Sequence, residues 1–164
     1  MVPVNRKSGE QQPAAMALLA ANERAIGSLY EEYARQLPEH EQFWSGLAAE
    51  ERTHALWLEE LAKAPAAGEV PARPRFTVES IRSFTAYVHE QQSFAVQGTT
   101  MAAATATAYN IETALIERRF FEQLQQQTPE VTRVIASLKK DTERHVRTTK
   151  NALTRFGTQP PAGT

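Results

Sequence analysis

The sequence predicts an all-α protein, a four-helix bundle made of two helix-hairpin repeats with a long crossover that carries an extra short helix. Apolar residues recur at steps of three and four along five stretches, and no stretch of useful length alternates as a strand would. Of the 19 acidic residues, 18 are glutamate, a good helix former. Two segments also repeat one another at a fixed spacing.

The first two helices are expected to form a hairpin. The first should run from about Pro13 to Leu37, because proline suits the first turn of a helix. The second should run from Pro38 to about Lys63. A segment rich in proline and alanine, 64–74, follows and cannot form a regular helix, since proline lacks the backbone donor that a helix needs.

Three further helices are expected beyond this segment. Thr77 has the side chain of an N-cap for a short crossover helix that ends at Gly98. The next helix should extend from near Thr99 to about Gln127, and the last from Pro129 to about Phe156. The domain boundaries that follow are a flexible N-terminus at 1–12, the bundle at 13–157 and a disordered tail at 158–164.

The repeat relates the two hairpins to each other. Leu37-Pro38-Glu39 corresponds to Thr128-Pro129-Glu130, and His54 corresponds to His145, at a constant offset of 91 residues. Two helix–turn–helix halves joined by a long crossover are one of the known four-helix-bundle topologies.

Five charged or titratable residues interrupt the apolar stripes where another apolar residue would be expected. They are Glu23, Glu51, His54, Glu112 and His145. Carboxylates in a bundle core cost several kcal/mol unless they are neutralised or paired. A glutamate precedes a histidine by 31 residues in the first half and by 33 in the second. This doubled pattern predicts a site for divalent metal.

Each residue alone has a plainer interpretation. Glu23 could be a boundary residue whose carboxylate reaches solvent, and His54 could be a hydrogen-bonded core histidine. Glu117 is an alternative to Glu112, but its distance from His145 does not match the spacing in the first half. The occurrence of the pattern twice in register favours the metal interpretation.

Four segments resemble the ferritin-like superfamily and, within it, the rubrerythrin-like di-iron carboxylate group, without that group's rubredoxin domain. They are NERAIGSLY at 22–30 and EERTH at 50–54, then IETALIERRFF at 111–121 and DTERH at 141–145. The resemblance covers roughly residues 13–156. It implies a ferritin-like four-helix bundle with a di-metal centre and oxidase- or peroxidase-type activity on O₂, peroxide or Fe(II).

The resemblance also implies a ligand set. Glu23 and His54 would serve one ion, Glu112 and His145 the other, and Glu51 would bridge them. Two divalent ions are expected, with iron first and manganese or zinc as alternatives, since oxygen and imidazole ligands suit all three. No catalytic residue beyond these ligands and no organic cofactor is expected.

The second half departs from the family pattern at Thr142, where a second bridging glutamate is expected. Asp141, the chain's one aspartate, lies four residues before His145 and could replace it. Asp141 could equally be a solvated neighbour of the adjacent basic residues. Without it, one metal position would be tight and the other weak. The alternative function is therefore a metal-binding or structural bundle with a degenerate, non-catalytic site.

Composition excludes several other classes. The chain has no cysteine, which excludes disulfides, thiolate metal sites and a cysteine nucleophile. The electrons for turnover would therefore come from a separate donor or from the substrate metal. The net charge of −1 argues against nucleic acid as a partner. Without a signal peptide or a long apolar run, no membrane association and a cytoplasmic location are expected. A homodimer is expected because two-fold pairing is the commonest assembly.

Overall fold

The computed structural model describes residues 7–63, 78–117 and 128–157, and side chains from Ala15 onward. This part of the chain is almost entirely helical and contains no strand, which confirms the all-α prediction for it. The elements are α1 (Lys7–Gln36), a 3₁₀ turn (Pro38–His40), α2 (Glu41–Lys63), α3 (Val78–Ala95), α4 (Met101–Glu117) and α5 (Pro129–Phe156).

The helix boundaries follow the predicted ones with three differences. The predicted second helix opens with a 3₁₀ turn, so α2 begins at Glu41 rather than Pro38. Helix α1 begins at Lys7 rather than near Pro13, so this proline lies within the helix and not in its first turn. Helix α3 ends at Ala95, and Gly98 then adopts a φ of +114°, a conformation that favours glycine. The predicted cap at Thr77, the segment at 64–74, the end of the fourth helix at 118–127 and the tail lie outside the described residues.

Helices α1 and α2 pack against each other along their length in opposite directions. Arg24 pairs with Glu59 near one end, and the Tyr33 ring lies 4.8 Å from the Trp44 ring near the other. Helix α4 packs on α5, and α2 also touches α5. Helix α3 covers α1, where Thr85 Oγ1 donates a hydrogen bond to Asn22 Oδ1 at 3.1 Å.

The buried faces of α2 and α5 explain why charged residues reach the core. In each helix the buried positions recur every three or four residues, as on one face of an amphipathic helix. On α2 this face consists of Trp44, Leu47, Ala48, Glu51, His54, Ala55, Leu58 and Leu61. On α5 it consists of Val131, Ile135, Leu138, Thr142, His145, Thr149 and Ala152. Titratable side chains thus occupy positions that the helical period assigns to the interior.

Gly27 allows α1 and α2 to approach closely beside this interior group. A Cβ atom at Gly27 would lie 3.4 Å from both the Ala48 carbonyl oxygen and Glu51 Cβ. The backbones are therefore at van der Waals distance next to the glutamate. None of the helices in the described ranges has the length and apolarity needed to cross a membrane.

Candidate metal centre

Five titratable side chains meet in the interior. Glu23 comes from α1, Glu51 and His54 from α2, Glu112 from α4 and His145 from α5, and each is at most 2% exposed. The structure therefore brings together five of the six residues that the sequence singled out as metal ligands.

The five side chains form two groups that share Glu51. One group is Glu23, Glu51 and His54, the other is Glu51, Glu112 and His145, and in each group the possible ligand atoms lie within 4.8 Å of one another. Glu51 Oε2 is 3.1 Å from His54 Nδ1, whereas Glu51 Oε1 is 2.7 Å from His145 Nδ1. Because its two oxygens face different histidines, Glu51 has the position of a bridging carboxylate.

The other two glutamates complete the two groups. Glu23 Oε2 lies 3.9 Å from His54 Nδ1, and Glu112 Oε1 lies 3.6 Å from His145 Nδ1. Both histidines therefore turn the same ring nitrogen, Nδ1, toward the carboxylates. Tyr30 donates a hydrogen bond of 2.6 Å to Glu112 Oε1, so one oxygen of that carboxylate is held in place.

Several of these buried atoms have no hydrogen-bond partner. They are both carboxylate oxygens of Glu23, Oε1 of Glu51, Oε2 of Glu112 and Nδ1 of His145. Buried polar atoms without partners cost free energy, so a native structure seldom keeps several of them together. Two of these atoms face each other closely, since His145 Nδ1 is 2.7 Å from Glu51 Oε1. A divalent cation accepts such lone pairs, and the donor set of carboxylates and imidazoles fits one.

Two further carboxylates contact the histidines from outside. Asp141 Oδ2 lies 3.2 Å from His54 Nε2, and Glu50 Oε2 lies 2.7 Å from His145 Nε2. Each carboxylate comes from the half of the chain opposite to its histidine. A carboxylate at the second ring nitrogen is the usual outer partner of a metal-bound histidine. By accepting a hydrogen bond from Nε2–H, the carboxylate fixes the tautomer in which Nδ1 is free to bind a metal.

The sequence placed Asp141 among the ligands and missed Glu50. The structure puts Asp141 against the ring nitrogen of His54 that faces away from Glu51, and Asp141 belongs to neither group of three. Glu50 could have been found from the sequence, because it is the repeat equivalent of Asp141 at the same offset of 91. Thr142 is buried and donates to the Leu138 carbonyl oxygen at 3.0 Å. The side chain of Glu117 lies outside the described residues.

The three central carboxylates differ in their ionisation. Burial and the charge of Glu51 raise the pKa of both Glu23 and Glu112, most strongly that of Glu23. Burial also acts to raise the pKa of Glu51, but close contacts with His145 and His54 outweigh it and hold that pKa well below its usual range. Glu51 is therefore the carboxylate that keeps its charge in the metal-free interior.

Both histidines favour the protonated form in the metal-free protein. Burial lowers the pKa of His145, but the carboxylates of Glu112 and Glu51 outweigh it and raise this pKa to about 11. The pKa of His54 is also raised, because contacts with Glu51 and Asp141 exceed the opposing effect of burial. A cation bound at Nδ1 must displace these protons, which couples metal binding to pH.

No protein-family model matches the chain, and comparison with curated proteins and with solved structures finds no match. The likeness to ferritin-like proteins therefore remains one of sequence segments. What the interior can bind follows from the side chains themselves: two groups of buried oxygen and nitrogen donors that share one carboxylate.

Proposed function

We propose that this chain is a ferritin-like metal-binding protein whose interior holds two divalent ions, as in the rubrerythrin-like group. One observation carries the proposal: four buried carboxylate oxygens and one imidazole nitrogen in the two groups lack hydrogen-bond partners. A structural core would be expected to satisfy or replace such atoms, whereas a metal site needs them.

Each group would hold one ion. Glu23 and the Nδ1 atom of His54 would bind the first, Glu112 and the Nδ1 atom of His145 the second, and Glu51 both. Asp141 and Glu50 would then act as outer partners that accept hydrogen bonds from the Nε2 atoms. In this arrangement Asp141 does not replace the second bridging carboxylate.

The local charge favours two ions over one. Three buried carboxylates, the two outer carboxylates and Arg144, which contacts both outer ones, carry a net charge of about −4 when all are ionised and the imidazoles are neutral. Two divalent cations neutralise this charge, and a single one leaves a net charge of about −2 on a cluster whose three central carboxylates are buried. Uncompensated buried charge is strongly destabilising.

We further propose that iron is the ion and that the activity is of the oxidase or peroxidase type. Bound iron would supply two-electron chemistry toward O₂ or peroxide, or Fe(II) would itself be the substrate. The protein's part is to exclude bulk water, since the five ligand residues are almost fully buried, and to hold Glu112 through Tyr30. With no cysteine in the chain, the electrons for repeated turnover would come from a separate donor or, where Fe(II) is the substrate, from Fe(II) itself.

Metal analysis of protein produced in iron-supplemented medium tests this function, followed by Fe(II) oxidation under air and peroxide consumption. We expect close to two ions per chain and oxidation of added Fe(II). A Glu23→Gln, Glu112→Gln double variant, which keeps side-chain volume, should lose both. Protein that carries less than about one ion per two chains and never oxidises Fe(II) would exclude the proposal.

A second function, metal binding without turnover, is favoured by Thr142. Its hydroxyl is committed to the Leu138 carbonyl, so the centre as a whole has one bridging carboxylate fewer than a symmetric one. This alternative expects bound metal and a raised Tm by ordinary linkage, with no peroxide consumption. The same preparation separates the two functions, because metal content and turnover are measured independently.

A further inference from the structure

Arg144 lies between the two outer carboxylates and contacts both. Its Nη2 atom is 2.5 Å from Glu50 Oε2 and 3.1 Å from Asp141 Oδ1, and Nη1 is 3.3 Å from Glu50 Oε1. Glu50 is on α2 whereas Asp141 and Arg144 are on α5. One guanidinium therefore ties together carboxylates that serve opposite histidines.

We propose that Arg144 is a positioning residue for both metal positions at once. It would act on His145 through Glu50 and on His54 through Asp141, without touching a metal ligand atom itself. This inference rests on the proposed metal-binding function and adds to it a single outer support shared by the two ions.

The geometry supports this role in two ways. A carboxylate that accepts from both an arginine and an imidazole is fixed at both of its oxygens, as Asp141 is through Oδ1 and Oδ2. Glu50 receives two guanidinium contacts, so its Oε2 atom is held beside His145 Nε2. Fixed outer carboxylates orient the imidazoles and raise their basicity as ligands.

A support shared by both metal positions predicts a different pattern of metal affinities in variants from two separate supports. Removal of one outer carboxylate should weaken mainly the metal position of its own histidine. Removal of Arg144 should weaken both positions together, because both carboxylates then lose their second partner.

The inference can be tested by titration of metal-free protein with Co²⁺, whose visible spectrum reports ligand geometry. The variants are Arg144→Leu, Glu50→Gln and Asp141→Asn. Arg24→Leu is a matched control, because Arg24 also forms a two-point ion pair between helices, with Glu59, at similar exposure (47% for Arg24 and 44% for Arg144). We expect Arg144→Leu to weaken both Co²⁺ equivalents by about 10–100-fold and to alter both spectra. Arg24→Leu should match wild type.

A second readout uses the metal-free protein. In ¹H–¹⁵N spectra of the imidazoles, Arg144→Leu should shift the Nε2–H signals of both His54 and His145, with His40 and His89 as internal references. Wild-type protein that binds no Co²⁺ contradicts the proposed function itself. If wild-type protein binds Co²⁺ tightly and Arg144→Leu binds it with the same affinity, Arg144 does not support the site. If Arg144→Leu weakens binding at one position only, the support is not shared. Either result overturns this inference and leaves the metal-binding function standing.

Discussion

The two halves of the site are built from equivalent positions but carry different residues at the centre. His54 and His145 are equivalent, as are their outer carboxylates, and both histidines turn Nδ1 inward. At the bridging position the first half has Glu51 and the second has Thr142, both almost fully buried. One of these side chains reaches both histidines, and the other bonds to its own helix.

This difference shows what the repeat preserves. The repeat keeps the histidines and the carboxylates that orient them, and each outer carboxylate crosses to the opposite half. It does not keep a carboxylate at the bridging position of the second half. Glu51 is therefore the one bridging carboxylate shared by the two groups. On the proposed metal function, each group would still offer two carboxylates and one imidazole, with Glu51 common to both.

Restoring the symmetry gives the largest expected effect. Thr142→Glu places a second carboxylate opposite Glu51, and in metal-free protein this added buried charge should lower the free energy of unfolding by about 3–5 kcal/mol. Metal should recover the loss, because a second bridging ligand becomes available. Thermal unfolding with and without Co²⁺, together with the Co²⁺ stoichiometry, measures both parts.

Thr149→Glu is the matched control for this substitution. Thr149 is seven residues further along the same buried face and also donates to its own helix, but it belongs to neither metal group. We expect the same loss of stability without recovery by metal. Equal behaviour of the two variants would contradict the equivalence of Thr142 and Glu51.

Removing the shared carboxylate should weaken metal binding in both halves of the site at once. Glu51→Gln keeps the side-chain volume but is expected to weaken both metal positions by more than about 100-fold, since outer partners alone account for 10–100-fold. At a Co²⁺ concentration 100 times the wild-type Kd, the stabilisation of about 2.7 kcal/mol for each metal position should then almost vanish. Glu32→Gln, a buried glutamate paired with Arg35, should keep it. Loss at one position only would show that Glu51 does not bridge.

The sequence predicted the histidines and central glutamates well because helical periodicity places them on buried faces without knowledge of the tertiary contacts. Asp141 and Glu50 are different, since their partners lie on other helices. Sequence spacing along one helix could suggest only that Asp141 lies near His145. Which histidine it contacts depends on how α5 packs on α2, and no local pattern contains that information.

The pH dependence should differ between metal-free and metal-bound protein. The pKa of His145, about 11 when folded, lies above its unfolded value near 6.5, so its contribution to stability is complete below pH 6.5. That contribution is lost as pH rises toward 11, by about 1.4 kcal/mol per pH unit. The raised pKa values of Glu23 and Glu112 act in the same direction.

Metal-bound protein should show the opposite trend, because ligands must lose their protons for metal to bind. Thermal unfolding between pH 6.5 and 8.5 should thus give a falling Tm without metal and a growing Tm increase with Co²⁺. A metal-free Tm that is flat over this range would contradict the protonated state of His145.

A smaller asymmetry lies in the two terminal glutamates. Glu112 accepts a hydrogen bond from Tyr30, whereas both oxygens of Glu23 lack a partner. Tyr30→Phe should cost about 1–2 kcal/mol of unfolding free energy, because it leaves a buried oxygen unpaired. It should also change the Co²⁺ spectrum of the Glu112 position alone. Tyr33→Phe, in the same aromatic cluster, should leave the spectrum unchanged, and a change there would count against a specific role for Tyr30.

The smallest difference between the halves lies at the starts of their second helices. Thr128 caps α5 by accepting a hydrogen bond from the Val131 backbone N–H at 3.1 Å, whereas its repeat equivalent, Leu37, makes no side-chain cap. Thr128→Ala should therefore cost about 1 kcal/mol in unfolding free energy. The cap lies 17 residues before His145, more than four helical turns away along α5. Co²⁺ affinity relative to wild type should therefore not change. A loss of metal affinity in this variant would mean that the entry of α5, and not only its buried face, sets the position of His145.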